Sequence, residues 1–489
     1  MNYLYEKNNQ ASPSFPIKIL QFGTNPISRS TISYAIDLLN KETNFRGSII
    51  ALQLNQTGNS AQLNAQNGEF HIVTPNYTKE KTTYNFDLIT SINKAINPKI
   101  DFEELIKTLE QPELRFFISY QEKCELQFSE ERYTDNHLQY SFSAIITAAL
   151  YHRYQFFQGD PNKGIIYIPC EQEFRYGDKI KKHILQHIYS WDLETSFFEW
   201  IEKYCYFTNT LFDRTVKGFS ETHSHKLYKD LHIHDNLLSV AEKFYLWIIE
   251  CPEFVKGELP LELSSLNIKY VDKIDDFYHL KHLLLPGSIN ILAPIAILYN
   301  SNNVNDILNN KYLNLIFKHY TIKEIFPLIH LSNEFKERYI TSIEERIRNK
   351  SIDKSWTEII HNPSGSYKSS LIPSIWKYYH YHGKLPLVMT LSLTSYIYLC
   401  KDLFIDNDLN ISEELENLYD FHSEWNLYKT NNDLYAFTKN ILSWQHHWGE
   451  NLNNIPGLTL TIEKQLKLLI EAGIDRNIKN LTHSFLYSD

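Results

Sequence analysis

Short apolar runs and helically spaced apolar positions alternate along the first part of the chain. Ile17 to Phe22 is a largely apolar run that ends at Gly23, and Ile32, Ile36, Leu38 and Leu39 then recur at helical spacing, which predicts strand, turn and helix. A second β-branched run, Ser48 to Leu54, follows, so the first 54 residues have the order and length of a βαβ unit, the building block of doubly wound parallel sheets. Phe70 to Val73, Leu114 to Ser119 and Gly164 to Pro169 predict further strands, with a helix over Ser141 to Tyr154. From Asp178 onward the period changes. Apolar residues at i, i+3 and i+4 predict helices over Ser196 to Thr208, Leu237 to Ile249, Ser288 to Leu298 and Leu458 to Ala472. Ser220 to Asp235 and Asn349 to Ser370 read as loops.

The chain has 489 residues, more than one core usually holds, and two domains are expected, residues 1–240 and 241–489. The expected fold is α/β: a Rossmann-like doubly wound sheet domain followed by a mostly α-helical carboxy-terminal domain. Leu385 to Cys400 is too short and too rich in Ser and Thr for a membrane span, which predicts a buried helix and no membrane partner.

Charge narrows the partners. A formal net charge of −10 argues against nucleic acid, which would require clustered Lys and Arg. Cys124, Cys170, Cys205, Cys251 and Cys400 stand singly, which predicts reduced thiols, and Met1 to Pro16 lacks the order of a secretory signal. Both point to the cytoplasm.

A dinucleotide turn needs glycine where the backbone approaches the pyrophosphate, and amides at a helix start to bind the anion. Here the turn reads Gly23-Thr24-Asn25-Pro26-Ile27-Ser28-Arg29, with only the first glycine of a G-x-G pair. Asn25 tolerates left-handed angles and Pro26 suits a first helical position. The second strand ends Leu52-Gln53-Leu54-Asn55, with Gln53 where an acidic residue would hold ribose hydroxyls. The turn also reads as an ordinary strand-to-helix connection.

Two H-x-H pairs, His223 with His225 and His232 with His234, attract attention as metal ligands, but their spacing matches no compact zinc motif and they fall in a polar loop. His446 and His447, beside Trp444 and Trp448, read as packing residues. No metal is expected. Lys281, in His279-Leu280-Lys281-His282-Leu283-Leu284-Leu285-Pro286-Gly287, precedes an apolar stretch and is a candidate general base; the plainer reading is a lysine whose stem packs while its amine reaches water.

Taken together, Ile19-Leu20-Gln21-Phe22-Gly23 with Arg29, Pro112-Glu113-Leu114-Arg115-Phe116, Gly159-Asp160-Pro161-Asn162-Lys163-Gly164, Ile168-Pro169-Cys170-Glu171, Asp213-Arg214, Lys281 with Gly287, Gly383-Lys384-Leu385-Pro386 and Trp448-Gly449 with Ile455-Pro456-Gly457-Leu458 resemble the mannitol dehydrogenase family, in its altronate oxidoreductase (tagaturonate reductase) branch. The resemblance spans nearly the whole chain. It implies an NAD-binding Rossmann domain, a helical carboxy-terminal domain and NAD-dependent interconversion of tagaturonate and altronate, or of a related hexuronate or polyol.

In that family a lysine acts as general base within K-x-x-x-x-N-x-x-H, where the asparagine and histidine hold the developing oxyanion. Carried over by position, the lysine is Lys281, the asparagine is Pro286 and the histidine is Ile289, and His282 and Asn290 are the nearest polar replacements. The cofactor-binding positions carried over are Gly23, Asn25, Arg29 and Gln53. The family's N-T-T-E loop is Tyr120-Gln121-Glu122-Lys123. Between Arg338 and Pro373 no substrate residue can be placed by motif, although Arg346, Arg348 and Lys368 are available for a sugar carboxylate. Two readings follow: an active NAD-linked oxidoreductase using Lys281, or a catalytically inactive homologue that keeps the scaffold for binding or interaction.

Overall fold

Ile17–Phe22 forms β1, the central strand of a six-stranded parallel sheet in a computed structural model of the chain. The structure describes residues 2–3, 15–54, 58–77, 82–121, 126–131, 141–217, 233–348, 354–359, 363–401 and 415–485. Two compact units emerge, Met1–Ile274 and Asp275–Asp489.

The sheet of the first unit comprises β1, β2 (Ser48–Leu52), β3 (Ile92–Ile96), β4 (Phe116–Ser119), β5 (Ile166–Pro169) and β6 (Tyr206–Phe207), ordered β3-β2-β1-β4-β5-β6. This is the doubly wound order, reversing direction between β1 and β4. β2, β4 and β5 are buried on both faces. Ile19, Ile49 and Phe116 pack with Ile36 and Leu39 of α1 (Tyr34–Glu42) on one side. Leu20, Ile50 and Phe117 pack on the other with Leu105 of α2 (Phe102–Leu109) and Leu150 of α3 (Phe142–Phe156). Ile19, Ile36, Leu39 and Ile49 are fully buried, each contributing roughly 1.5–3 kcal/mol of transfer free energy.

The unit boundary falls later than residue 240. The predicted helix Leu237–Ile249 is instead two strands, Ser239–Ala241 and Leu246–Glu250. Leu246 to Ile249 are all buried, so the alternation that marks a half-exposed strand is absent and the run imitates a helix face. Leu246–Glu250 pairs antiparallel with Asn209–Asp213 and parallel with Ile268–Val271, which binds residues 241 to 274 into the first unit. Ser239–Ala241 joins a second sheet with Val216–Lys217, Phe70–Tyr77 and Thr82–Ile89.

The second unit is helical. Its α4 (Asp275–Leu298) carries Pro286 and Pro294 and packs on α5 (Leu387–Leu399), the buried apolar helix expected over Leu385 to Cys400. The predicted loop Asn349–Ser370 is in part helical, with Trp356–Ile359, Pro363–Ser366 and a π-turn Tyr367–Leu371. His223, His225 and His232 lie outside the described residues, and His234 sits in a two-residue strand paired with Asn2–Tyr3.

Candidate functional site

The topological switch point lies where β1 and β4 end side by side, paired from Ile19 with Phe116 to Phe22 with Ser119. The chain leaving β1 passes so close to the chain leaving β4 that a Cβ on Gly23 would stand 2.9 Å from the Tyr120 carbonyl oxygen, and Gly23 has φ +126°. Glycine is required there by the main chain itself.

Asn25 then caps the helix start. Its backbone is extended, Pro26 occupies the first helical position, and its Oδ1 accepts a hydrogen bond of 2.7 Å from the Ser28 amide. Ser28 Oγ donates back to the Asn25 carbonyl at 3.0 Å. Pro26 has no N–H and the Ser28 amide is engaged, so two of the first three positions offer no donor to an anion while this cap stands.

Arg29 runs inward from the turn and is 1% exposed. Nη2 donates to Ser239 Oγ at 3.1 Å and the guanidinium lies 5.2 Å from the Phe70 ring centre, whereas Nε and Nη1 have no hydrogen-bond partner. Burial pulls its pKa down to about 10, opposed by the Asp235 carboxylate. Arg214, part of the family resemblance but given no role by the sequence, holds the same helix start. Its Nη1 donates to the Ser30 carbonyl at 2.6 Å and its guanidinium lies 4.7 Å from the Tyr34 ring centre. Only the fold brings residues 184 positions apart into this pairing.

Gln53, at the end of β2, is buried, and its Oε1 accepts from the Ser60 amide at 3.1 Å and the Ser60 hydroxyl at 2.7 Å. Asn59 reaches back to the Thr24 carbonyl at 3.3 Å, tying the connections after β1 and β2 together. Beneath them, at the carboxyl end of the sheet, an apolar cavity of about 260 Å³ is lined by Phe22, Leu54, Pro98, Phe102, Ile145 and Ala149.

On the other side of the switch point, Ser119 at the end of β4 lies 2.6 Å from the Tyr167 hydroxyl, and Glu171 follows the end of β5. Glu171 is 4% exposed and neither of its carboxyl oxygens has a hydrogen-bond partner.

In the second unit, Lys281 stands in the second turn of α4 and is 8% exposed. Pro286 cannot donate to the His282 carbonyl, four residues back. Gly287 fits closely beside that irregularity: a Cβ there would stand 2.8 Å from the His282 carbonyl oxygen and 3.2 Å from the Tyr320 hydroxyl, which donates to the Leu283 carbonyl at 3.0 Å. Ile289 is buried. His282 packs against Tyr278 with ring centres 4.0 Å apart, and Asn290 donates to Ser366 Oγ at 2.9 Å. Asn290 is nine residues beyond Lys281, roughly half a turn round the helix, so it does not share the lysine's face.

Among the residues considered for a sugar carboxylate, Arg346 is buried, Arg348 pairs with Glu344 at 3.6 Å, and Lys368 donates to the His446 carbonyl at 2.8 Å. His447 is buried among Tyr396, Phe421 and Trp448, a packing role, while His446 lies 3.3 Å from Asp420. Among the described residues, no three His, Cys, Asp or Glu side chains converge as metal ligands.

The family model described as the mannitol dehydrogenase Rossmann domain matches residues 17–263, and that of the mannitol dehydrogenase C-terminal domain matches residues 273–470. The chain belongs to the mannitol dehydrogenase family. Within this family it is similar to the altronate oxidoreductase of Phocaeicola vulgatus, 30% identical over 477 residues that cover 97% of this chain and 99% of that one. It is also similar to the altronate oxidoreductase of Bacillus subtilis, 29% identical with 95% of each chain covered. Its fold matches the D-sorbitol dehydrogenase structure in substrate-free form, with TM-score 0.74 at 18% identity over 94% of each chain. It also matches the Pseudomonas fluorescens mannitol 2-dehydrogenase ternary complex with NAD and D-mannitol, with TM-score 0.65 at 18% identity over 96% of this chain and 94% of that one. Membership of the mannitol dehydrogenase family makes the switch point and the Lys281 helix the two places to look for chemistry.

Proposed function

We propose that the chain is a cytoplasmic NAD-dependent oxidoreductase that interconverts a keto group and a secondary alcohol on an open-chain sugar acid, with tagaturonate and altronate as the substrate pair. The observation that carries this reading is the near full-length similarity to altronate oxidoreductases, joined to a buried Lys281 at the position of the family's general base.

The first unit fits a dinucleotide in most respects. The strand order supplies a crevice at the switch point, and the apolar cavity suits a flat base such as adenine. The turn fits the pyrophosphate once the Asn25 side chain rotates off the Ser28 amide. When bound, NAD supplies the hydride acceptor. Lys281 then has the proton to manage: its amine takes the hydroxyl proton as the alcohol becomes a ketone and returns it in the reverse direction.

With Pro286 and Ile289 in place of two side-chain donors, oxyanion stabilisation of about 3 kcal/mol per donor is missing from those two positions. Slow turnover is expected. The lysine and the family framework remain, and the inactive alternative is not carried forward.

The test is a titration of the purified protein with NADH by tryptophan fluorescence, followed by assays of keto-uronates with the wild type and Lys281→Ala. Micromolar binding with turnover lost in the variant is the expected result. No binding up to millimolar NADH would overturn the reading.

A further inference from the structure

Glu171 plays no part in the proton transfer assigned to Lys281, yet it is a carboxyl group placed where charge should matter. It follows the carboxyl end of β5, next to β4 in the half of the sheet beyond the switch point. In a doubly wound sheet of this order each half takes one nucleotide, so the ends of β4 and β5 belong to the nicotinamide half.

The surroundings bring donors near the carboxyl but, among the described residues, no counter-charge. The Ser119 hydroxyl and the amides of Gln121, Cys170 and Glu171 lie around it without hydrogen-bonding geometry. Behind Ser119 stands the Tyr167 hydroxyl, and beside Glu171 stands the Cys170 thiol, followed by Tyr245. Among the described residues no charged side chain sets its state. Burial raises its pKa to about 7, against the opposing influence of the nearby hydroxyl and amides. A buried carboxyl with no fixed counter-charge responds strongly to a charge brought close in the low-dielectric interior.

Resting on the NAD reading, we propose that Glu171 answers to the charge of the nicotinamide ring: it is ionised when the positively charged oxidised ring is bound and protonated when the neutral reduced ring replaces it. The proton balance closes. Oxidation of the alcohol transfers a hydride to the ring and the hydroxyl proton to Lys281; as the ring loses its charge, Glu171 takes up a second proton from solvent, and the reverse reaction returns both. Glu171 touches no reacting atom and is therefore a positioning residue, acting through electrostatics.

Calorimetric titration of the full chain with NAD⁺ and with NADH, at pH 7 in buffers of different ionisation enthalpy, counts the protons exchanged on binding. Wild type is expected to release about half a proton per NAD⁺ bound and to take up about half a proton per NADH bound. Glu171→Gln abolishes that release while still binding NADH. Glu171→Asp keeps a titrating acid and moves the pH midpoint of the release, and it serves if the glutamine variant does not fold. Equal release with both cofactor forms, no release in the wild type, or undiminished release from Glu171→Gln overturns the proposal while leaving the NAD reading intact. Failure of both cofactor forms to bind overturns both.

Discussion

Asn25 Oδ1 accepts the Ser28 amide proton at 2.7 Å, so the helix that should receive a pyrophosphate is already capped by its own chain. The arrangement stabilises the empty turn and competes with the ligand. A capping Asn is worth about 1 kcal/mol relative to an uncapped end, and replacement by Gly costs only a few tenths. Asn25→Gly should therefore bind NADH about fivefold more tightly, with little change in Tm. Fluorescence titration beside a thermal melt measures both. Unchanged or weaker affinity would show that the pyrophosphate does not use this amide.

Lys281 separates chemistry from binding. If Lys281 is the proposed general base, Lys281→Ala should lower kcat by about 10²-fold or more while leaving the Kd for NADH within a factor of two, since Lys281 sits in the helical unit. Steady-state kinetics and NADH titration on the same preparation decide it. A matching loss of NADH affinity would assign Lys281 to the cofactor instead.

By resemblance, Pro286 and Ile289 stand where the family motif has asparagine and histidine. Pro286→Asn restores an N–H opposite the His282 carbonyl and a side-chain donor on the next turn from Lys281. A proline inside a helix costs about 3 kcal/mol or more. The single variant should raise Tm, and the double variant with Ile289→His should raise kcat by at least about 10²-fold, the worth of one of the two oxyanion donors it recovers. Thermal melts and turnover of keto-uronates measure the two effects independently. A kcat that stays at the wild-type value would mean that these positions do not face the reacting oxygen.

How far the sequence disclosed this molecule depended on whether a feature is local. The β1, turn, α1, β2 unit was legible because strand and helix periods follow each other within one continuous stretch. Leu246 to Ile249 misled because a strand buried on both faces has no polar alternation. Thr82–Ile89 was missed although Tyr84, Phe86 and Leu88 alternate with Asn85 and Asp87, the pattern of a half-exposed strand. The inward course of Arg29 was not legible, since Ser239 lies 210 residues away. Nor was the unpaired state of Glu171, for the absence of a partner is a property of the packed structure and leaves no mark on neighbouring residues.

His447 offers a test of the helical unit by pH. It is 1% exposed, its ring packs against Tyr396, Phe421 and Trp448, and neither ring nitrogen has a hydrogen-bond partner. Burial lowers its pKa to about 3, with Lys368 and His446 adding to the effect. A base whose folded pKa lies below its unfolded value binds fewer protons in the folded state, so stability falls as pH drops from about 6.5 toward 3. Phe in its place removes both the proton linkage and two unsatisfied nitrogens while keeping an aromatic ring. His447→Phe should therefore raise Tm at neutral pH and flatten the decline of Tm between pH 6.5 and 4.5, when melts of variant and wild type are compared across that range. Parallel curves for the two proteins would mean that the imidazole acquires a partner in solution and that another group governs the acid limb.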